Sequence, residues 1–142
     1  MIIEINTQSS SPIYEQLRDQ IVLGISANKL VPGEILPSVR NLGADLGINF
    51  HTVNKAYAML CDEGYIVMDR RKGAVVAQSA PNDEAFLSKL SHELLLNAAE
   101  TVCHNIGVNE FTKLCAECYF KAKGKSDSER LENLKNSENG GN

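Results

Sequence analysis

Between Leu36 and Val76 two short helical patterns meet across a Gly47-Ile48 turn, and that spacing leaves few ways to fold. In Leu36-Pro37-Ser38-Val39-Arg40-Asn41-Leu42, the proline cannot continue a preceding helix, and Ser38 is placed to cap the next one. Leu42 and Leu46 recur at helical spacing, and Gly47 closes that helix as a left-handed cap. Asn49 is a second N-cap, opening a run in which Val53, Ala56, Tyr57 and Leu60 share one face. So short a connection forces the two helices to cross steeply, which is the helix-turn-helix arrangement.

An extended pair follows. Tyr65-Ile66-Val67-Met68 and Ala74-Val75-Val76-Ala77 are rich in β-branched and aromatic residues, and Asp69-Arg70-Arg71-Lys72-Gly73 between them supplies a hairpin turn. Upstream, Ile2 to Ile5 alternates as a short strand would. Ser9-Ser10-Ser11-Pro12 then starts a helix whose Ile13, Leu17, Ile21 and Ile25 line one face. Gly24 weakens that helix by roughly 1 kcal/mol against alanine, and Asn28 to Glu34 reads as a turn. Three helices with a C-terminal hairpin describe a winged helix.

Ser79-Ala80-Pro81-Asn82-Asp83 marks a boundary. Beyond it, Phe86, Leu87, Leu90, Leu94, Leu95 and Val102 give an amphipathic helix, and Gly107 breaks it. Phe111, Leu114, Cys115, Cys118 and Tyr119 give a shorter second helix with an apolar stripe. Two helices that short cannot enclose a core of their own, so their stripes are expected to close on a second copy of the chain. From Lys121 onward the chain is charged and small, apart from Leu131 and Leu134, and disorder is expected beyond a frayed helix. The expected class is α+β: a winged helix-turn-helix over 1–79, a two-helix dimerisation or effector region over 80–121, and a disordered tail over 122–142.

The chain of 142 residues carries a net charge of −4. Residues 1–79 hold seven Lys/Arg against eight Asp/Glu, and residues 80–142 hold seven against ten, so the acidity is concentrated in the second part. At the hairpin turn the balance reverses, with Arg70, Arg71 and Lys72 against Asp69 alone. Phosphate contact depends on such local charge, while the overall acidity predicts weak non-specific binding and a need for dimerisation. No apolar run approaches the ~18 residues of a membrane span. The amino terminus, Met1-Ile2-Ile3-Glu4, lacks the basic start of a signal peptide, so a cytoplasmic location and reduced cysteines are expected. No nucleophile–base pair, phosphate-cradling loop or paired-carboxylate signature appears, and neither enzymatic activity nor a cofactor is expected.

At these residues the chain resembles the GntR family of bacterial transcription regulators. The resemblance is carried by Pro12-Ile13-Tyr14-Glu15-Gln16-Leu17 and by Pro32-Gly33-Glu34-Ile35-Leu36-Pro37-Ser38-Val39-Arg40. Asn49-Phe50-His51-Thr52-Val53-Asn54-Lys55-Ala56-Tyr57 matches a recognition helix, and Glu63-Gly64-Tyr65-Ile66 matches the approach to the wing. The blocks cover about residues 10–78, and the short two-helix second part is similar to the small YtrA-like branch. The wing departs from the usual Gly-x-Gly pattern, because Lys72 occupies the first glycine position and leaves Gly73 alone.

The resemblance implies a homodimeric repressor on a pseudo-palindromic operator of double-stranded DNA, with the binding of a small-molecule effector left open. Ser38 caps its helix and, in the resembling motif, contacts phosphate from the same helix N-terminus. Arg40 reaches DNA in that motif, its forked donors suiting guanine or phosphate alike. Asn49, His51, Thr52 and Lys55 lie opposite Val53, Ala56 and Leu60, where recognition-helix residues face the major groove. Tyr57 serves either the core or a phosphate. Arg70, Arg71 and Lys72 are read as the wing, with Gly73 allowing close approach to the backbone. Phe86, Leu87, Leu90, Leu94, Phe111 and Leu114 are the expected dimerisation residues.

A second reading places a metal or thiol sensor at Cys103, Cys115 and Cys118. Cys115 and Cys118 also fall on the apolar stripe, where cysteine behaves as a small hydrophobe, and no metal site is expected. Cys61 is expected in the core.

Overall fold

The computed structural model describes residues 1–125 together with Glu129, Glu132, Lys135, Asn136 and Gly140. The chain forms two compact units, Met1–Pro81 and Asn82–Asn142.

In the first unit, α1 (Ile13–Ser26), α2 (Val39–Leu46) and α3 (Phe50–Asp62) precede the antiparallel strands β1 (Ile66–Asp69) and β2 (Gly73–Val76). The expected α+β winged helix-turn-helix is what the residues build. Both α1 and α2 pack against α3, and β1 packs on α3 as well, so α3 lies at the centre of the unit. Its inner face, Val53, Ala56, Tyr57 and Leu60, is buried. Leu17 and Ile21 from α1, Leu42 from α2, and Ile66, Ala74 and Val76 from the hairpin complete the core with Leu30 and Leu36. Each fully buried aliphatic side chain here contributes about 1.5–3 kcal/mol relative to exposure.

The caps sit where the residue types place them. The Ser38 side chain accepts a hydrogen bond from the Asn41 amide at 3.2 Å, and Asn49 Oδ1 accepts from the His51 amide at 2.9 Å. Gly47 is left-handed at φ 67°, and the Ile48 amide returns to the Gly43 carbonyl at 2.9 Å. A Cβ on Gly43 would stand 3.0 Å from the Ile48 carbonyl oxygen and 3.2 Å from Phe50 Cα, so this glycine permits α2 to lie directly against the start of α3. Gly24, expected only to weaken α1, makes room for Leu30: a Cβ there would approach Leu30 Cδ1 at 3.1 Å.

Two local expectations change. Ile2 to Ile5 is not a strand, because no sheet edge receives it. Its backbone is instead held by two side-chain amides one helical turn apart on α1. Gln20 bonds both the amide and the carbonyl of Glu4, and Gln16 bonds those of Asn6. Ile3 and Ile5 pack against the core from this arm. The segment leading into α2, read as a simple turn, pairs with the free edge of β2. The Leu36 amide donates to the Ala74 carbonyl at 2.8 Å, the Val76 amide to Glu34 at 2.9 Å, and Ile35 bridges Val75. The hairpin is thereby attached to the chain that starts α2.

At the other end of α3, Arg18 on α1 bonds both carboxylate oxygens of Glu63 and reaches Asp19 at 2.8 Å. These contacts, led by Glu63, raise the pKa of the guanidinium against partial burial, so it stays cationic. Cys61, expected in the core, is half-buried and packs against it, and burial pushes its thiol pKa up.

The second unit holds α4 (Glu84–Cys103) and α5 (Val108–Ala122). Asp83 caps α4 by accepting from the Phe86 amide at 2.9 Å. Asn105, at φ 59°, turns the chain, and the Ile106 amide returns to Thr101 before Gly107 starts α5. Neither helix buries a single residue. Of the tail expected over 122–142, Ala122 still belongs to α5, and Glu129, Glu132, Lys135 and Asn136 are helical. The rest of that expectation, including Leu131 and Leu134, lies outside the described residues. No helix among the described residues is long and apolar enough to cross a membrane.

Tyr57 ties this architecture together through its hydroxyl, which donates to the Pro37 carbonyl at 2.8 Å. Tyr57→Phe is expected to lower unfolding stability by about 1 kcal/mol while keeping the fold. Urea titration followed by circular dichroism measures the loss, and an unchanged midpoint would contradict the structural role.

Candidate nucleic-acid interface

The polar side chains singled out in the sequence emerge at three places on the first unit. At the start of α2, Ser38 and Arg40 are exposed. At the start of α3, Asn49, His51 and Lys55 are exposed and Thr52 is half-buried. At the hairpin turn, Arg70, Arg71 and Lys72 are exposed beside a half-buried Gly73. Both helix starts retain backbone N–H groups without intrahelical partners, and the positive end of each helix dipole favours an anion there.

One contact links the first two places. The Arg40 guanidinium lies over the Phe50 ring, Cζ 4.5 Å from its centroid. The His51 ring stands 4.2 Å from the same centroid at an interplanar angle of 32°. The close backbone approach at Gly43 brings Phe50 within reach of α2. Sequence reasoning gave Phe50 no role. Its signal was an aromatic residue three positions before Val53 and seven before Tyr57, which places it on the apolar face of α3 at the first turn. Lys55 is also held by a ring, its Nζ 3.8 Å from the centroid of Tyr14 on α1.

Tyr57 lies on the inner face of α3. It was open to either the core or a phosphate; the ring is buried and the hydroxyl is engaged by Pro37. Burial pushes its pKa up to about 12, and its proton is donated to the Pro37 carbonyl, so the side chain takes part in packing α3 against the approach to α2.

The turn is built by Asp69. Its Oδ1 accepts from the Arg71 amide at 2.7 Å and the Lys72 amide at 2.8 Å. Asp69 pairs with Gly73 across the ladder, leaving Arg70-Arg71-Lys72 as a three-residue loop closed by Gly73 at φ 82°. The left-handed conformation that closes the loop falls on a glycine, which has no Cβ to oppose it. Lys72 is not at positive φ, and its departure from the Gly-x-Gly pattern therefore costs no backbone strain. Among the described residues, no hydrogen bond, ion pair or ring contact joins this turn to Arg40 or His51.

In the second unit, Phe86, Leu87, Leu90, Leu94 and Leu114 are exposed and Phe111 is half-buried. Among the described residues of this unit, the exposed large apolar side chains run from 39% at Leu90 and Ile106 to 71% at Val102 and Val108, an extensive apolar surface. Cys103, Cys115 and Cys118 are exposed. Among the described residues, no three His, Cys, Asp or Glu side chains come together in a way that could hold a metal ion.

The family model for bacterial regulatory proteins, gntR family, matches residues 10–76. An uncharacterized HTH-type transcriptional regulator of Bacillus subtilis, YhcF, is 34% identical over 88 residues, covering 62% of this chain and 73% of its own. The HTH-type transcriptional repressor YtrA of the same organism is 39% identical over 79 residues, covering 56% of this chain and 61% of its own. Among solved structures, a transcriptional antiterminator from Listeria monocytogenes EGD-e superimposes with a TM-score of 0.82 at 27% identity, covering 89% of this chain and 96% of that one.

The hydrogen bonds from the Lys72 and then the Arg71 amide hold the Asp69 carboxyl below the usual carboxylate range. With the folded-state value lowered, the order of the turn is present at neutral pH and lost as pH falls through that lowered value. The Arg71 and Lys72 amide resonances should shift together in this acid step, and Asp69→Ala should abolish the step and speed their exchange at neutral pH. Titration by NMR checks both, and an unchanged exchange rate in the variant would contradict the assignment.

Proposed function

The chain belongs to the gntR family of bacterial regulatory proteins and is YtrA-like, and from that premise we propose that it is a sequence-specific DNA-binding repressor acting as a homodimer in the cytoplasm. The observation that carries this reading is the division of α2, α3 and the hairpin. Their apolar faces are buried in one core, while Arg40, Asn49, His51, Lys55, Arg70, Arg71 and Lys72 are left exposed.

In this reading the start of α3 enters the major groove, and Asn49, His51, Thr52 and Lys55 meet base edges or flanking phosphates. Ser38 and Arg40 approach from the start of α2, where free N–H groups and a guanidinium suit phosphate or a guanine edge. The hairpin lays Arg70, Arg71 and Lys72 along the backbone, with Gly73 allowing close approach. These contacts are cationic and local, so the overall charge of −4 does not oppose them at the interface.

Dimerisation is supported by α4 and α5. Among the described residues Phe86, Leu87, Leu90, Leu94 and Leu114 stay exposed and Phe111 is half-buried, and such a face is stable in water when a second copy closes it. A two-fold dimer presents two α3 helices about 34 Å apart, one turn of duplex, which selects a pseudo-palindromic operator. Repression follows from occupancy of such a site, and the similar protein YtrA of Bacillus subtilis is named a repressor.

Selection of bound duplexes from a random pool tests the whole reading, with Arg40→Ala run in parallel. A two-fold-symmetric motif is expected, weakened by about 1–3 kcal/mol in the variant; failure of the purified protein to retain any duplex at low salt would overturn it. Light scattering should give a dimer that Leu90→Glu with Leu94→Glu converts to monomer, and a wild-type monomer would remove the dimerisation claim alone.

A further inference from the structure

Arg40 is a long side chain with a good deal of rotamer freedom to lose, and it stands exposed at the first turn of α2. Among the described residues it has no carboxylate partner and donates no hydrogen bond. What holds it is the Phe50 ring, with Cζ 4.5 Å from the centroid. A guanidinium stacked on an aromatic face is attracted by the ring quadrupole, while its N–H donors, which lie in the guanidinium plane, stay free at the edge. An ion pair would have occupied those donors. The His51 ring lies 4.2 Å from the same centroid, so groups from two helices meet at one side chain. Phe50 is half-buried, and its backbone is pressed against Gly43, where a Cβ would approach its Cα at 3.2 Å and its amide at 3.3 Å. The backbone that carries the ring is therefore held against α2.

We propose that Phe50 is a positioning residue, whose ring sets Arg40 of α2 and His51 of α3 as one unit with the Arg40 donors free to meet DNA edge-on. This rests on the DNA-binding reading above and adds to it how the two helix starts are coupled. Phe50 itself supplies no polar contact. Its effect on binding passes through Arg40, and replacing it with an aliphatic residue leaves every charge in place while releasing the guanidinium.

The test uses the full chain and the duplex enriched from the random pool. Phe50→Leu, checked by circular dichroism for an unchanged fold, is expected to weaken binding roughly two- to fivefold, the range of an exposed cation–π contact. Phe50→Tyr and Phe50→Trp, which restore an aromatic face, are expected to restore affinity, an outcome that a merely apolar role for Phe50 would not produce. In the Arg40→Ala background, Phe50→Leu is expected to have no further effect, because the group it positions is gone. Full affinity in Phe50→Leu, or losses that simply add to those of Arg40→Ala, would overturn the inference while leaving DNA binding intact. NMR of the free protein gives an independent reading. The Arg40 side-chain protons should show an upfield ring-current shift that Phe50→Leu abolishes, and its absence in the wild type would overturn the stack whatever happens with DNA. No enriched duplex with the wild type would instead overturn the DNA-binding reading, and this one with it.

Discussion

Burial of one face of α3 organises everything else in the first unit. Val53, Ala56, Tyr57 and Leu60 point into the only core that α1, α2 and the hairpin share, and removing that face from water fixes the rotation of the helix about its axis. Once the inner face is set, the side chains that remain outside are no longer a matter of choice. Asn49, His51 and Lys55 are displayed because Val53, Ala56 and Leu60 are not. The hydrophobic effect is non-directional, yet acting on a helical period it becomes a device for aiming polar groups.

Polar contacts then refine an arrangement that packing has already selected. Tyr57 bonds the Pro37 carbonyl and so holds the chain leading to α2, Arg18 joins α1 to the end of α3 through Glu63, and the amides of Gln16 and Gln20 hold the amino-terminal arm. Apart from the Arg18–Glu63 pair, these contacts involve backbone carbonyls and amides that irregular segments would otherwise leave unpaired. The segment from Gly33 to Leu36 works the same way, placing its backbone against the edge of β2 and removing an open strand edge. The second unit follows the opposite logic. Its first helix is capped by Asp83, and among the described residues neither helix buries a side chain, so little packing supports them there.

Much of this was legible in the residues because it depends on short-range rules. Ser38 and Asn49 announce helix starts, Gly47 announces an end, and the spacing of Val53, Ala56, Tyr57 and Leu60 announces a buried face. Each is decided within four or five residues by backbone geometry and helical period. The strand assigned to Ile2–Ile5 went wrong for the complementary reason. Alternation is necessary for a strand, but a strand exists only if a partner edge is in reach, and here two glutamine side chains reach the backbone first.

The amino-acid sequence by itself determined the order of elements, the helix-turn-helix spacing, the position of the basic turn and the identity of the core face, because capping, chirality and periodicity act locally. Tertiary structure alone decided that Tyr57 belongs to the core, that the approach to α2 pairs with β2, and that Arg40 meets Phe50. Each of these is a contact between segments ten to forty residues apart. Such contacts depend on how closely two backbones approach, and at Gly43 that approach is set by the absence of one Cβ, whose consequence appears only once the helices are packed.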